Sequence, residues 1–103
     1  MLKMLETKYE NQILTVYLTG EIDQHTSKNI RTDIDSQTEA LRPRLLCLDF
    51  SKVRFMDSSG IGLIMGRYRQ MNLLGGNLKI TNLPNNIARV VNLSGVQTLG
   101  VVK

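Results

Sequence analysis

Residues 12–20, QILTVYLTG, set Leu14, Val16 and Leu18 against Ile13, Thr15 and Tyr17, the alternation of a β-strand that Gly20 ends. A shorter strand is expected just ahead of it, near Thr7–Glu10. The period then lengthens. In IDQHTSKNIRTDIDSQTEALRP, Ile30, Ile34 and Leu41 form one stripe of an amphipathic helix, with Asp23 or Thr26 to cap its start and Pro43 past its end. RLLCLDF (44–50) is apolar on both faces for most of its length, which fits a central strand covered on both sides. SKVRFMDSSG reads as a loop. Residues 58–74 form a second helix whose core arc holds Ile61, Ile64, Met65, Tyr68 and Met71, the methionines acting as core filler. GGNLKITN then supplies a turn and a strand. LPNNIARVVNLSG makes a short third helix with Ile87, Val90 and Val91 inward, Pro84 near its first turn and Gly95 after its last. VQTLGVVK is read as a last short strand. Strands alternating with amphipathic helices predict an α/β fold with a mixed or mostly parallel sheet and right-handed crossovers.

A chain of 103 residues is a single domain, 1–103, by size. MLKMLETKYE has no apolar run of signal-peptide length, and nowhere do about 18 apolar residues follow one another. The expected location is therefore cytoplasmic, with no membrane partner. The lone Cys47 reads as a small buried hydrophobe, with no second Cys or His at metal-ligand spacing. Neither a metal nor another cofactor is expected. The net charge of +4 is uneven: five basic residues and no acid follow Asp57. That half suits an acidic protein partner or a nucleotide better than nucleic acid, because no run interleaves aromatic with basic residues.

The candidate chemistry sits in FMDSSGIGLIMGRYRQ (55–70). Asp57 or Ser58 can cap the second helix, since their side-chain oxygens accept from orphan amides of the first turn. Two hydroxyls and a carboxylate nevertheless exceed what one cap requires. Gly60, Gly62 and Gly66 each cost a helix up to about 1 kcal/mol, which suggests a close approach by the sheet behind or a partner in front. On the helical wheel Gly60, Leu63 and Arg67 fall in a strip away from the expected core arc, a plausible docking face. A phosphate on Ser58 would add about −1.5 to −2 of charge beside Asp57 without unfolding a helix N-terminus.

MDSSGIGLIMGRY, with LTGEID upstream (18–23) and NLSGV downstream (92–96), resembles the anti-sigma factor antagonists of the STAS domain family, most closely the sporulation type. The resemblance runs over roughly residues 8–102 and implies a STAS-type mixed β-sheet with flanking helices. It implies a partner that is both an anti-sigma factor and a serine kinase, carrying its bound ATP or ADP. The unphosphorylated antagonist binds that partner and frees the sigma factor. The kinase then phosphorylates the serine after the Asp, here Ser58, and a separate serine phosphatase restores it. Asp23, Met56, Asp57, Ser59, Gly60, Ile61, Leu63 and Arg67 are the partner-binding candidates. Members commonly continue into a final helix that covers the sheet, and this chain stops at Lys103, so the fold expected here is one short of that helix.

Three other readings compete. An enzyme would need Ser58 or Ser59 as nucleophile with Asp49, Asp57 and His25 as helpers, but no Gly-x-Ser-x-Gly elbow is present and His25 lies in polar company. Nucleotide binding lacks the spacing that cradles a triphosphate, leaving weak binding as a side property. A STAS module of a general-stress or other signalling complex is the remaining alternative.

Overall fold

The computed structural model describes residues 5–102. Strand β1 (Leu5–Glu10) turns back into β2 (Ile13–Ile22) through Asn11 and Gln12, both left-handed at φ 53° and 65°. Two successive positive-φ residues match the twist of a tight hairpin, and Glu10 pairs with Ile13. Helix α1 (Ser27–Leu41), strand β3 (Leu45–Met56), helix α2 (Ser58–Leu73), strand β4 (Asn77–Thr81) and helix α3 (Asn85–Ser94) follow, then a 3₁₀ turn at Val96–Leu99. The sheet order is β1-β2-β3-β4; β1 is antiparallel to β2, and β2, β3 and β4 are parallel. The expected mixed α/β sheet is therefore the one observed.

The core lies between the sheet and the helices. Leu14, Val16 and Leu18 of β2, Leu46, Leu48 and Phe50 of β3, and Ile80 of β4 are fully buried, as are Ile30 and Ile34 of α1 and Ile64 and Met71 of α2. Both α1 and α2 return from the sheet to the next parallel strand, so they lie side by side, touching each other as well as the strands. The opposite sheet face is less covered. Ile13, Thr15, Leu45, Cys47 and Lys79 are only half-buried there, so β3 is not sealed on both sides and Cys47 is not a core residue.

Three further expectations need correction. β3 runs on through SKVRFM, which was expected to be a loop. Two register shifts against β2, at Tyr17/Thr19 and Gly20/Glu21, each give β3 one extra residue, and such bulges erase the two-residue period that sequence reading depends on. In α1 the third buried residue is Thr38 and not Leu41, which keeps the stripe's angle but sits in the last turn, where Arg42 turns left-handed at φ 50°. The last strand is reduced to a single bridge between Ile80 and Val102, because Val96–Leu99 coil into the 3₁₀ turn; Lys103 lies outside the described residues.

Asp49 is 8% exposed, beside the first bulge. Its Oδ1 accepts from the Ser51 amide at 2.9 Å and the Ser51 hydroxyl at 2.7 Å, and its Oδ2 from Asn82 Nδ2 at 2.8 Å. Burial works to raise its pKa, but these donors, with Lys52 nearby, win and hold the carboxyl below its ordinary value. A depressed folded pKa contributes stability above the unfolded value of about 3.9 that is lost as pH falls through the folded one. Asp49→Ala should therefore cost about 1–3 kcal/mol at pH 7 and less below pH ~3, measured by urea unfolding at both values. A loss that does not change with pH would contradict this role.

Candidate functional site

Adjacent parallel strands β2 and β3 end together, Ile22 opposite Met56, and the Asp57 amide donates to the Ile22 carbonyl at 3.2 Å. That bond brings the loop after β2 beside the start of α2. Asp23 opens this loop. Its Oδ1 accepts from the amides of His25 at 2.8 Å and Thr26 at 3.0 Å, while the Thr26 hydroxyl donates to the Glu21 carbonyl at 2.9 Å. The His25 amide bond chiefly, assisted by Thr26, holds the Asp23 carboxyl below its ordinary pKa against partial desolvation. Thr26 occupies the N-cap position of α1 without a side-chain capping bond, so both cap candidates act in the turn that precedes the helix. The only histidine, His25, is exposed and contributes its backbone amide here.

At α2 the cap is Asp57, whose Oδ1 accepts from the Ser59 amide at 2.8 Å. Ser58 is the first helical residue and exposed, and among the described residues no hydrogen bond holds its hydroxyl. Ser59 is half-buried and lines a shallow groove between α1 and α2 with Ser27, Arg31, Gly62 and Leu63. Cap and candidate chemistry thus divide between two residues: the Asp57 carboxylate is committed to the cap and the Ser58 hydroxyl stays free of hydrogen bonds among the described residues.

Met56 is buried, and it explains Gly60: a Cβ there would collide with the Met56 side chain. Gly62 and Gly66 have open space instead. The sheet therefore approaches α2 at one glycine only.

The expected strip of Gly60, Leu63 and Arg67 does not face outward. All three are buried, Leu63 at 4% and Arg67 at 6% exposure. The buried arc of α2 is Gly60, Leu63, Ile64, Arg67 and Met71, turned by roughly 80° from the expected one at 100° per residue. The reason is that α2 is the middle helix. Leu63 and Arg67 pack toward α1, whereas Ile61 and Met65 border a groove with Val96 and Leu99 on the α3 side and are half-buried there. Burial withdraws Leu63 and Arg67 from any exposed docking face. Arg67 instead meets Asp35 of α1, Nε to Oδ1 at 2.9 Å.

Sequence reading missed Phe55, 49% exposed at the end of β3 opposite Glu21, because the bulges hide its face. Arg31, Ser27 and Gly62 of the groove were missed as a group, since only the pairing of α1 with α2 brings them together. Among the described residues no group of three or more His, Cys, Asp or Glu is placed to hold a metal, and no helix is long and apolar enough to cross a membrane.

Comparison with known proteins agrees with this geometry. The STAS domain family model matches residues 4–100. The anti-sigma F factor antagonist of Paenibacillus polymyxa is 33% identical over 92 residues, 89% of this chain and 79% of that protein. The anti-sigma-B factor antagonist of Bacillus subtilis is 26% identical, covering 92% of this chain and 85% of its own. Among solved structures, the anti-sigma factor antagonist SpoIIAA in its unphosphorylated form superposes with a TM-score of 0.84 at 25% identity, over 96% of this chain and 85% of its own. The same protein in its phosphorylated form gives 0.75 over 96% and 88%. This chain belongs to the STAS domain family, among its anti-sigma factor antagonists.

Proposed function

We propose that this protein binds an anti-sigma factor that is also a serine kinase, thereby releasing a sigma factor, and that phosphorylation of Ser58 ends the interaction. The observation that carries the reading is the free, exposed Ser58 hydroxyl beside an Asp57 already committed to capping α2. The kinase would supply the base and ATP; the Ser58 oxygen attacks the γ-phosphorus, its proton passes to that base, and ADP leaves. The solved phosphorylated form of SpoIIAA supports this chemistry.

The product carries about −1.5 to −2 of added charge next to Asp57, with Asp23 on the neighbouring loop. The amides and dipole of the α2 N-terminus accommodate that charge, so the fold survives. A partner packed against Ser58, Asp57 and Phe55 would meet a hydrated dianion, so contact is lost through desolvation cost and repulsion. A serine phosphatase is the required counter-enzyme.

The test is incubation with ATP and a candidate anti-sigma kinase, comparing wild type with Ser58→Ala, Ser59→Ala and Ser58→Asp by intact mass. One phosphate is expected on the wild type and Ser59→Ala and none on Ser58→Ala or Ser58→Asp, and Ser58→Asp should fail to bind. Equal labelling of Ser58→Ala would overturn the assignment. Antagonists of both the sigma F and the sigma-B type are similar to this chain, and we propose the sporulation type on the sequence resemblance of its motif. Parallel assays with a kinase of each pathway should then label the protein with the sigma F type alone.

A further inference from the structure

Helix α2 carries apolar residues nearly all round: Ile61, Leu63, Ile64, Met65, Tyr68, Met71 and Leu73, with Leu74 at its C-cap. Two arcs, each with at least three large apolar residues, could face the sheet. One is Ile61, Ile64, Met65, Tyr68 and Met71; the other, observed, is Gly60, Leu63, Ile64, Arg67 and Met71. By hydrophobicity alone the observed arc is the poorer choice, because it buries a guanidinium and a glycine. What distinguishes it is a charge partner. Arg67 meets Asp35, and among the described residues the other ion pair, Lys8–Glu10, is exposed on β1.

We propose that the Asp35–Arg67 pair sets the rotation of α2 about its axis, and so decides which of the adjacent hydroxyls, Ser58 or Ser59, is presented at the surface. The angles bear directly on this. In the observed arc Ser58 points about 165° from the centre of the buried face and Ser59 about 95°. In the alternative arc the same residues point about 85° and 175° away, so the two serines exchange exposure. The observed burial agrees with the first set: Ser58 is exposed and Ser59 half-buried.

The pair is suited to selecting a register and poorly suited to adding stability. Arg67 Nη1, Thr38 Oγ1 and Gln70 Oε1 are buried without hydrogen-bond partners among the described residues, and the Arg67–Asp35 contact is out of line for a directional bond. Buried pairs of this kind are often replaceable by apolar groups at little cost in stability, their best-attested use being the choice of one arrangement over another. Here Asp35 and Arg67 act as positioning residues, two turns and more from the serines.

The test uses thiols and needs no kinase. Cysteine is placed at position 58 or 59 in a Cys47→Ser background, and alkylation by iodoacetamide is timed. Position 58 should react about tenfold faster than 59, since both share the α2 N-terminus and differ in access. In Asp35→Leu/Arg67→Met the ratio should fall to about one or invert, and in the swapped pair Asp35→Arg/Arg67→Asp it should return above about fivefold. An unchanged ratio in a folded apolar variant overturns the proposal. So does an apolar variant that is unfolded by circular dichroism, since the pair would then serve stability, or a swap that fails to restore the ratio. The consequence for phosphate placement rests on Ser58 as the acceptor. A kinase that ignores the wild type would sink that reading and leave the thiol result standing.

Discussion

Arg67→Ala should cost about 3 kcal/mol of folding stability at pH 7, the low end for breaking a buried ion pair, because Asp35 retains some contact with water. The variant removes the one cation that, among the described residues, touches the Asp35 carboxylate, and with it the alkyl stem that fills the seam between α1 and α2. Its pH dependence has a definite sign. Burial already raises the Asp35 pKa, against the lowering effect of Arg67 and Arg31. Without Arg67 the folded pKa rises further. A raised carboxyl pKa in the folded state means stability falls as pH climbs from the unfolded pKa through the folded one. The penalty should therefore be larger at pH 7 than at pH 4, as urea unfolding at the two values would read. Burial lowers the Arg67 pKa, but arginine stays charged across this range, so the difference belongs to Asp35. A loss under about 1 kcal/mol at pH 7 would show that the seam relaxes around the missing side chain.

The same seam marks the limit of what was legible in the sequence. Strand β2 and the strip Ile30–Ile34 were readable because each has one wet and one dry side, so the period reports the face. Helix α2 has apolar side chains on the sheet, on α1 and on the α3 side, and a helix surrounded in this way has no strong amphipathic signal. The wheel consequently gave an arc roughly 80° off, sending Leu63 and Arg67 outward when both are buried. Nothing local in the sequence pairs Arg67 with Asp35, since the contact depends on two parallel crossovers lying side by side. The extension of β3 was hidden for a different reason: its bulges let buried residues recur at Val53 and Met56 rather than at alternate positions. By contrast, a cap at Asp57 or Ser58 was legible because it is local chemistry, an acid two residues ahead of the amide it accepts from. Asp23, read as a cap candidate for α1, instead accepts from the amides of the turn before that helix.

Gly62→Arg is expected to leave the fold intact while weakening partner binding at least about 100-fold, equivalent to about 2.7 kcal/mol. The two halves of that expectation rest on different observations. Nothing lies within 4 Å of a Cβ built on Gly62, and the residue is exposed in the middle of a helix. Removing a helical glycine from open space should raise stability by up to about 1 kcal/mol, visible as an unchanged or higher thermal midpoint. Gly60 supplies the contrast, because a Cβ there meets Met56 and Gly60→Ala should melt earlier. The loss of binding follows from place: Gly62 is one turn from Ser58 and lines the groove with Ser59 and Arg31. An arginine there would project into any partner close enough to reach the Ser58 hydroxyl. Calorimetric titration against the anti-sigma kinase separates the two. A folded Gly62→Arg protein that binds as tightly as wild type would move the interface off this groove, toward the Phe55 side of Ser58.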